Sequence, residues 1–107
     1  MSRQPQHPET HQINLSAIYD ALSDPVRRQI LARLALEGEL NCSAFKDYAS
    51  KTLLSYHFGR MREAGLTETR VEGTSRFMQL RIDDLQSRFP GLLEAVFSSI
   101  VAEQKRD

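Results

Sequence analysis

Polar side chains suited to contact nucleic acid gather in residues 50–66, SKTLLSYHFGRMREAGL, near the middle of the chain. An amine, two hydroxyl groups and a phenol follow in close succession there, on Lys51, Thr52, Ser55 and Tyr56. Such groups donate hydrogen bonds to phosphate oxygens or reach base edges in the major groove of DNA. The stretch therefore predicts DNA recognition.

The same stretch carries the signals of a single helix that would present these groups. Ser50 is suited to the N-cap, and Gly65 has the position of a glycine that follows a helix end. Leu54, Phe58 and Met61 are spaced four and then three residues apart, so they form an apolar stripe on one face. The polar side chains take the opposite face near the N-terminus, as a recognition helix requires.

A β-hairpin is predicted directly after this helix. Residues 66–71 and 75–82 have strand-like patterns, and residues 72–74 form the turn between them. A hairpin in this position is the wing of a winged helix. Three polar side chains near its tip are suited to contact a DNA backbone or minor groove: Arg70, Ser75 and Arg76.

The preceding residues predict the remaining helices of the domain. Amphipathic spacing indicates a first helix over residues 13–22 and a second over residues 25–36, with Ser23 or Asp24 as its N-cap and Gly38 after its end. Residues 42–48 predict a short helix that faces inward through Ala44 and Phe45 and completes a helix-turn-helix with the recognition helix.

The two ends of the chain are predicted to differ in role. Residues 1–12 lack periodicity and contain two prolines, so we expect a flexible tail before one domain over residues 13–107. The last element is interrupted at residues 89–91 and continues as a helix with a wide apolar stripe. Because a large exposed apolar surface usually binds a partner, this stripe favours a symmetric dimer through the terminal helices. We expect the interface to contain Ile18, Leu92, Leu93, Val96, Phe97 and Ile100.

Positive charge is concentrated in the predicted DNA-binding part, although the formal net charge of the 107 residues is zero. Residues 50–81 contain six basic and three acidic side chains, whereas residues 1–49 and 82–107 are each net acidic. A local basic surface is therefore compatible with a net charge of zero for the whole sequence. The hydrophobic content of 40% and the charged content of 26% are typical of a soluble globular protein.

Composition also excludes several classes of protein. No apolar run approaches the roughly 20 residues that span a bilayer, and the polar N-terminus lacks a signal-peptide core, so we expect a cytoplasmic protein. The single cysteine, Cys42, excludes an internal disulfide. Three histidines and one cysteine do not assemble a nucleophile with its base, and no glycine-rich phosphate loop occurs, so we expect no enzyme activity.

In this order, the segments resemble the ArsR/SmtB family of winged-helix transcriptional repressors. LSDPVRRQILARL is similar to the family's second helix, SKTLLSYHFGRMREAGL to its recognition helix, and VEGTSRF to its wing. The resemblance covers most of residues 14–101. It implies a homodimer, paired through its first and last helices, that represses transcription on an inverted-repeat operator and is released by a signal.

The resemblance also implies which residues touch DNA. Carried over position by position, the contacts are Ser50, Lys51, Thr52, Ser55 and Tyr56, with Arg76 in the wing. Two residues depart from the family pattern. Gly59 lies mid-helix, where it costs on the order of 1 kcal/mol relative to alanine. Arg60 replaces a residue that is usually aliphatic, and from this position we expect it to reach a phosphate or lie along the wing.

The sensing residues of the family are largely missing. Where metal sensors hold a Cys-x-Cys motif, residues 40–44 offer only Cys42, and residues 91–107 contain no histidine. Because zinc normally needs three or four protein ligands, we expect no metal site and no cofactor.

Several side chains leave alternatives open. Cys42 is either a redox or electrophile sensor or a small packed residue, the latter being the commoner role. His7 and His11 have the spacing of a helical i, i+4 metal-ligating pair but lie in the predicted tail. His57 is expected to pack and hydrogen-bond rather than sense pH. For Arg27, Arg28 and Arg33 we favour a solvated helix face over phosphate contact.

The sequence predicts a mainly α winged helix-turn-helix protein with about five helices and a two-stranded wing. Its predicted function is repression from a pseudo-palindromic operator in double-stranded DNA, as a homodimer released by an unknown small-molecule or other signal. Two alternatives remain: a metal- or redox-responsive sensor that uses Cys42 or the tail histidines, and a winged-helix module that docks another protein through residues 92–101.

Overall fold

The computed structural model describes residues 4–105 and contains, in that range, five α-helices and a three-stranded antiparallel sheet. None of these helices is long and apolar enough to cross a bilayer. Two 3₁₀ turns span Thr10–Gln12 and Cys42–Phe45. The other elements are α1 (Leu15–Leu22), α2 (Pro25–Glu37), β1 (Leu40–Asn41), α3 (Lys51–Ala64), β2 (Thr67–Glu72), β3 (Ser75–Leu80), α4 (Ile82–Arg88) and α5 (Leu92–Gln104).

Capping bonds explain where the first two helices begin. Asp24 Oδ1 accepts hydrogen bonds from the backbone N–H groups of Val26 (2.8 Å) and Arg27 (3.2 Å), which confirms one of the two predicted caps of α2. Helix α1 starts later than predicted because Asn14 caps it, its side chain accepting from the N–H of Ala17 at 2.9 Å. Ile13, expected in this helix, precedes it and is completely buried.

The predicted short helix over residues 42–48 is only a 3₁₀ turn, Cys42–Phe45. Asn41 caps it by accepting from the N–H of Ser43 at 2.9 Å. A segment this short forms few i to i+4 bonds, and 3₁₀ geometry is common in such connectors. Phe45 is completely buried, as predicted, and so anchors the first half of the helix-turn-helix.

The predicted hairpin is confirmed as strands β2 and β3, and β1 adds a third strand that was not predicted, so the sheet has the order β1-β3-β2. Strands β2 and β3 pair from Thr67 opposite Leu80 to Glu72 opposite Ser75, with Gly73 and Thr74 as the turn. Strand β1 adds Leu40 opposite Met78. Strand β1 could not be predicted, because two residues are too few to produce an alternating pattern.

The core lies between the helices and the inner face of the sheet. Every element except β1 and the first 3₁₀ turn contributes at least one buried side chain. The largest apolar side chains that are almost completely buried come from the segment before α1, the helices, the second 3₁₀ turn, β3 and the residue before β2: Ile13, Ile18, Ile30, Leu31, Leu34, Phe45, Met61, Leu66, Met78 and Leu85.

An N-terminal strap, residues 4–12, lies along the free edge of strand β2. The side chain of Gln4 makes both hydrogen bonds of a strand neighbour with Val71, accepting from its N–H at 2.8 Å and donating to its C=O at 3.0 Å. His7 Nε2 accepts from the N–H of Thr69 at 2.9 Å. The sequence predicted a flexible tail here, without these contacts. They supply hydrogen-bond partners for backbone groups at the edge of the sheet.

The strap continues onto helix α4. Arg81 donates to the carbonyl of Pro8 at 2.8 Å, and the Thr10 hydroxyl donates to Asp84 at 2.7 Å. His7 and His11 are not on one helix face, since only Thr10–Gln12 is helical in this segment. The helical pair proposed from their spacing is therefore wrong.

The strap should make stability depend on pH through His7. Burial lowers the pKa of His7 below 6.5, and Arg81 and Arg62 lower it further while Glu68 opposes them. Because the folded-state pKa is lower than the unfolded one, the stabilisation is complete above pH 6.5 and is lost as pH falls through the lowered pKa. Protonation also removes the acceptor used by Thr69. We expect this loss in urea titrations of the wild type between about pH 7.5 and pH 5.

The matched control is His7→Gln, whose amide oxygen can accept the same N–H without titrating. Its unfolding free energy should therefore fall less than that of the wild type over the same pH range. Parallel pH curves for the two proteins would contradict a role for His7 protonation.

Candidate nucleic-acid interface

Helix α3 has the predicted ends. The Ser50 hydroxyl accepts from the N–H of Leu53 at 3.2 Å, which confirms Ser50 as N-cap. Gly65 follows Ala64 in the left-handed conformation, and its N–H donates to the carbonyl of Arg62 at 3.0 Å. These caps fix which side chains face outward.

The side chains predicted to touch DNA lie together on the outer surface of α3. Lys51, Thr52 and Ser55 are exposed to solvent, and Tyr56 is 56% exposed. Leu54 and Met61 are buried on the adjoining, core-facing side, and Phe58 packs against the core while partly exposed. The predicted division between an apolar and a polar face is therefore present, with the polar groups at the N-terminal end.

A buried arginine fixes the inner face of α3. The Arg27 guanidinium donates from Nη1 to His57 Nδ1 at 3.0 Å and from Nε to the carbonyl of Ala21 at 2.6 Å. Because arginine can only donate, Nδ1 of His57 is an acceptor. His57 Nε2 lies 4.0 Å from the Asp24 carboxylate. His57 is 3% exposed, so the expectation of a hydrogen-bonded packing residue is confirmed.

Each arginine of α2 donates hydrogen bonds within the protein, and Arg27 is the buried one. Arg27 is 6% exposed, so it offers no surface to a phosphate, and the favoured solvated face is wrong for this residue. Arg28 donates to the Leu22 carbonyl at 2.7 Å, and Arg33 bonds Glu37 and the Ala44 carbonyl. Arg27 and Arg28 both donate to carbonyls in the last turn of α1, where positive charge also interacts favourably with the helix dipole.

Arg60 does not lie where we expected it. Its guanidinium forms an ion pair with Asp20 of α1. Side chains two positions apart point about 200° apart around a helix, so Arg60 faces α1 whereas Arg62 faces the wing side. Arg60 is thus neutralised by a carboxylate and removed from the polar face of Lys51 and Ser55.

The two wing arginines differ in charge environment. Arg70 is held by Glu39 at 3.0 Å and by Glu72 at 2.6 Å, and its guanidinium stacks 4.6 Å from the ring centre of Phe77. Arg76 is exposed and forms no ion pair with any residue between positions 4 and 105. Arg76 is therefore the wing cation available to an external anion.

A cleft of about 460 Å³ separates α3 from the wing. Its basic lining residues are Lys46, Lys51, Arg62 and Arg76. Sequence reasoning missed Lys46 and Arg62. The periodicity could have found Arg62, since positions 51, 55, 58 and 62 share one helical face. Lys46 joins the cleft only through the fold, because it follows the 3₁₀ turn.

Cys42 also lines this cleft and is only partly buried. Burial raises the pKa of its thiol, and the opposing effect of Arg76 and Arg62 is smaller. A raised pKa disfavours the reactive thiolate. Within residues 4–105 no group of three His, Cys, Asp or Glu side chains is placed to hold a metal ion.

The terminal helices carry two apolar grooves on either side of α5. One, of about 410 Å³, lies against α1 and includes Tyr19, Leu92 and Val96. The other, of about 440 Å³, lies against α2 and α4 and includes Leu36 and Phe97. Tyr19 is 58% and Leu36 is 87% exposed, so each groove has an exposed apolar edge.

Three residues expected at a dimer interface belong to the core of the protomer. Ile18 is completely buried, and Leu93 and Ile100 are nearly so. Their side chains offer almost no surface to a second copy. Leu92, Val96 and Phe97 are partly exposed, so for them a place in a dimer interface stays a prediction.

Comparisons of sequence place the chain among helix-turn-helix regulators. A family described as a helix-turn-helix domain matches residues 22–70. The chain is 42% identical over 82 residues to the uncharacterized HTH-type transcriptional regulator YceK of Bacillus subtilis (strain 168). That match covers 74% of this chain and 82% of the relative.

Solved structures share the whole architecture. The crystal structure of an ArsR family transcriptional regulator has a TM-score of 0.62 at 20% identity, over 92% of this chain and 100% of that one. The transcriptional repressor BigR from Xylella fastidiosa has a TM-score of 0.62 at 26% identity, over 86% and 88% of the two chains. The helix-turn-helix, the wing and the relative at 42% identity agree: the chain belongs to the helix-turn-helix transcriptional regulators and has the fold of a solved ArsR family member.

Proposed function

We propose that this chain represses transcription as a homodimer on a pseudo-palindromic operator and is released by a signal. The observation that carries the proposal is the exposed polar end of α3 beside Arg76 of the wing, which forms no ion pair within residues 4–105. Lys51, Thr52, Ser55 and Tyr56 would enter a major groove, with Ser50 at the helix start. Arg76 would contact the flanking backbone. The fold similarity to a repressor supports the direction of regulation.

The direct test is binding to the DNA upstream of the chain's own gene, measured by fluorescence anisotropy against a random duplex at two salt concentrations. A repressor should bind the upstream duplex selectively and lose affinity as salt rises, because phosphate contacts release counterions. Binding that is absent, or that is equal for the two duplexes, would refute the proposal. Apolar protein docking through α5 would show little salt dependence.

We expect Tyr56→Ala and Arg76→Ala to weaken DNA binding in different ways. Tyr56 lies on the groove-facing turn of α3, so its loss should reduce the ratio of specific to random binding by about tenfold. Arg76 contacts backbone only, so its loss should weaken all duplexes alike and lower the salt slope by about one. Anisotropy titrations of both variants on both duplexes measure the ratio. Equal, sequence-independent losses would contradict this division.

The proposed dimer is formed through the groove between α1 and α5. Two recognition helices about 34 Å apart would match half-sites one helical turn apart. The exposed Tyr19 and the partly buried Val96 give this groove its apolar surface. Ile100 is a poor probe of assembly, because a charge at a buried position would disturb folding first.

We expect Val96→Glu and Tyr19→Glu to convert the dimer into a monomer, since each places a carboxylate in an apolar contact. Sedimentation velocity at a fixed protein concentration measures the change. Leu36→Glu, on the opposite groove, is the matched control and should leave the dimer intact. An unchanged sedimentation coefficient for Val96→Glu would exclude this interface, and loss of the dimer in Leu36→Glu alone would move the interface to the other groove.

A further inference from the structure

We propose that the cleft between the second 3₁₀ turn, α3 and the wing is a phosphate-binding site, in which Arg62 and Lys46 act together with Lys51 and Arg76. The proposal rests on the proposed DNA-binding function and adds Arg62 and Lys46, which were not predicted from the sequence. The phosphate is a backbone group of bound DNA or a free phosphate anion.

Three separate parts of the fold bring these cations together. Lys46 follows the 3₁₀ turn Cys42–Phe45, and Arg76 belongs to strand β3. Lys51 and Arg62 are eleven residues apart on α3, close to three full turns, so they lie on the same face. All four line the one cleft of about 460 Å³.

The charges of the cleft are uncompensated within the described part of the chain. Most other arginines there are held by carboxylates, as in the pairs of Arg33 with Glu37, Arg60 with Asp20 and Arg81 with Asp84. None of the four cleft cations forms such a pair with residues 4–105. Among residues 4–105, no acidic side chain lines the cleft. Grouped like charges repel, and an anion between them would relieve this repulsion.

The chemistry of the lining suits phosphate. Two guanidinium groups offer planar forks of donors that match pairs of phosphate oxygens. The hydroxyl groups of Ser43 and Ser55 lie on the same lining and can donate to a third oxygen. Leu54 and Phe58 make part of the lining apolar, and the lower local polarity there strengthens the attraction between the cations and an anion.

Salt-dependent anisotropy on duplex DNA tests the DNA source. Arg62→Gln and Lys46→Gln should each lower the slope of log affinity against log salt by about one, because each removes one phosphate contact. Lys105→Gln is the matched control: it removes the same charge from the end of α5, away from the cleft. Its slope should equal that of the wild type.

Alkylation of Cys42 tests whether the cleft holds a free anion. The only cysteine in the sequence lines the cleft, so its reaction rate with neutral iodoacetamide reports occupancy. Inorganic phosphate at millimolar concentration should slow the wild-type reaction at least twofold and leave Arg62→Gln unaffected if a free anion binds. Each variant is compared with itself with and without phosphate, since Arg62 also influences the thiol pKa.

The two measurements separate the outcomes. Reduced slopes in both cleft variants assign the phosphate to DNA, and unchanged slopes with Arg62-dependent protection of Cys42 assign it to a free anion. Wild-type slopes in both variants together with no protection would overturn the proposal. If the wild type shows no salt-dependent DNA binding at all, the proposed function fails. The alkylation test still determines whether the cleft binds a phosphate anion.

Discussion

Gly65→Ala is expected to lower the free energy of unfolding by about 2–5 kcal/mol, the sum of two costs. Gly65 ends α3 at φ 87°, a left-handed conformation that costs alanine about 1–2 kcal/mol. A Cβ atom there would lie 2.6 Å from Cγ1 and 2.8 Å from Cδ1 of Ile13. Overpacking of this kind costs about 1–3 kcal/mol. Ile13 is β-branched and completely buried, so its side chain has little freedom to move away.

Gly59→Ala is the matched control for this prediction. Gly59 lies inside the same helix, and a Cβ there would meet nothing closer than an Arg62 side-chain atom at 3.8 Å. Alanine in a helix interior is better than glycine by about 0.5–1 kcal/mol, so this variant should be neutral or more stable. Urea denaturation of both variants at one protein concentration gives the comparison. Equal midpoints for the two would contradict the argument.

The steric part of the Gly65 cost can be isolated with Ile13→Ala, which removes all three Ile13 atoms that the new Cβ would approach. The two substitutions should be non-additive: Gly65→Ala should cost less in the Ile13→Ala background than in the wild type. The conformational part should remain. A coupling energy near zero would show that the two residues do not compete for the same space.

The sequence was sufficient where a local signal determines structure. Ser50 and Gly65 marked the ends of α3 because a capping hydroxyl and a left-handed glycine act through their own neighbours. Asp24 and Pro25 did the same for α2. The outward position of Lys51, Thr52, Ser55 and Tyr56 then followed from helical periodicity alone.

Partners distant in the chain were beyond such reasoning. The residue that Arg60 pairs with, Asp20, is forty positions away, and the strap places His7 beside Thr69 across an even longer interval. A polar segment with prolines gives no apolar pattern, yet its side chains can still pair with a strand edge. Only the tertiary fold identifies these contacts.

Periodicity also misjudged the burial of residues in terminal helices. Ile18 and Ile100 belong to apolar stripes, and a stripe alone does not say whether it faces the protomer core or a second copy. The structure assigns both residues to the core. Lys46 illustrates the converse: an isolated surface lysine in the sequence becomes part of a basic cleft because the 3₁₀ turn lies beside α3.

Arg27→Met is expected to lower the free energy of unfolding by about 2–4 kcal/mol, although the new side chain is apolar and of similar length. The Ala21 carbonyl near the end of α1 would normally accept from the residue four positions on, but that residue is Pro25, which has no N–H. Arg27 Nε supplies the missing donor at 2.6 Å. Without it, the Ala21 carbonyl and His57 Nδ1 lose a donor, and each buried acceptor left unpaired costs about 1–3 kcal/mol.

Arg28→Met separates this effect from the simple loss of an arginine in α2. Arg28 also donates to a carbonyl at the end of α1, that of Leu22, but its side chain is 27% exposed and water can replace it. Its loss should cost less than about 1 kcal/mol. The cost of Arg27→Met should come largely from His57 Nδ1, which loses its donor. His57→Leu should therefore destabilise the wild type but cost much less in the Arg27→Met background. Urea titrations of the four single and double variants measure both differences. Equal costs for the two arginines, or strict additivity with His57→Leu, would mean that Arg27 acts through its packing volume and not through its hydrogen bonds.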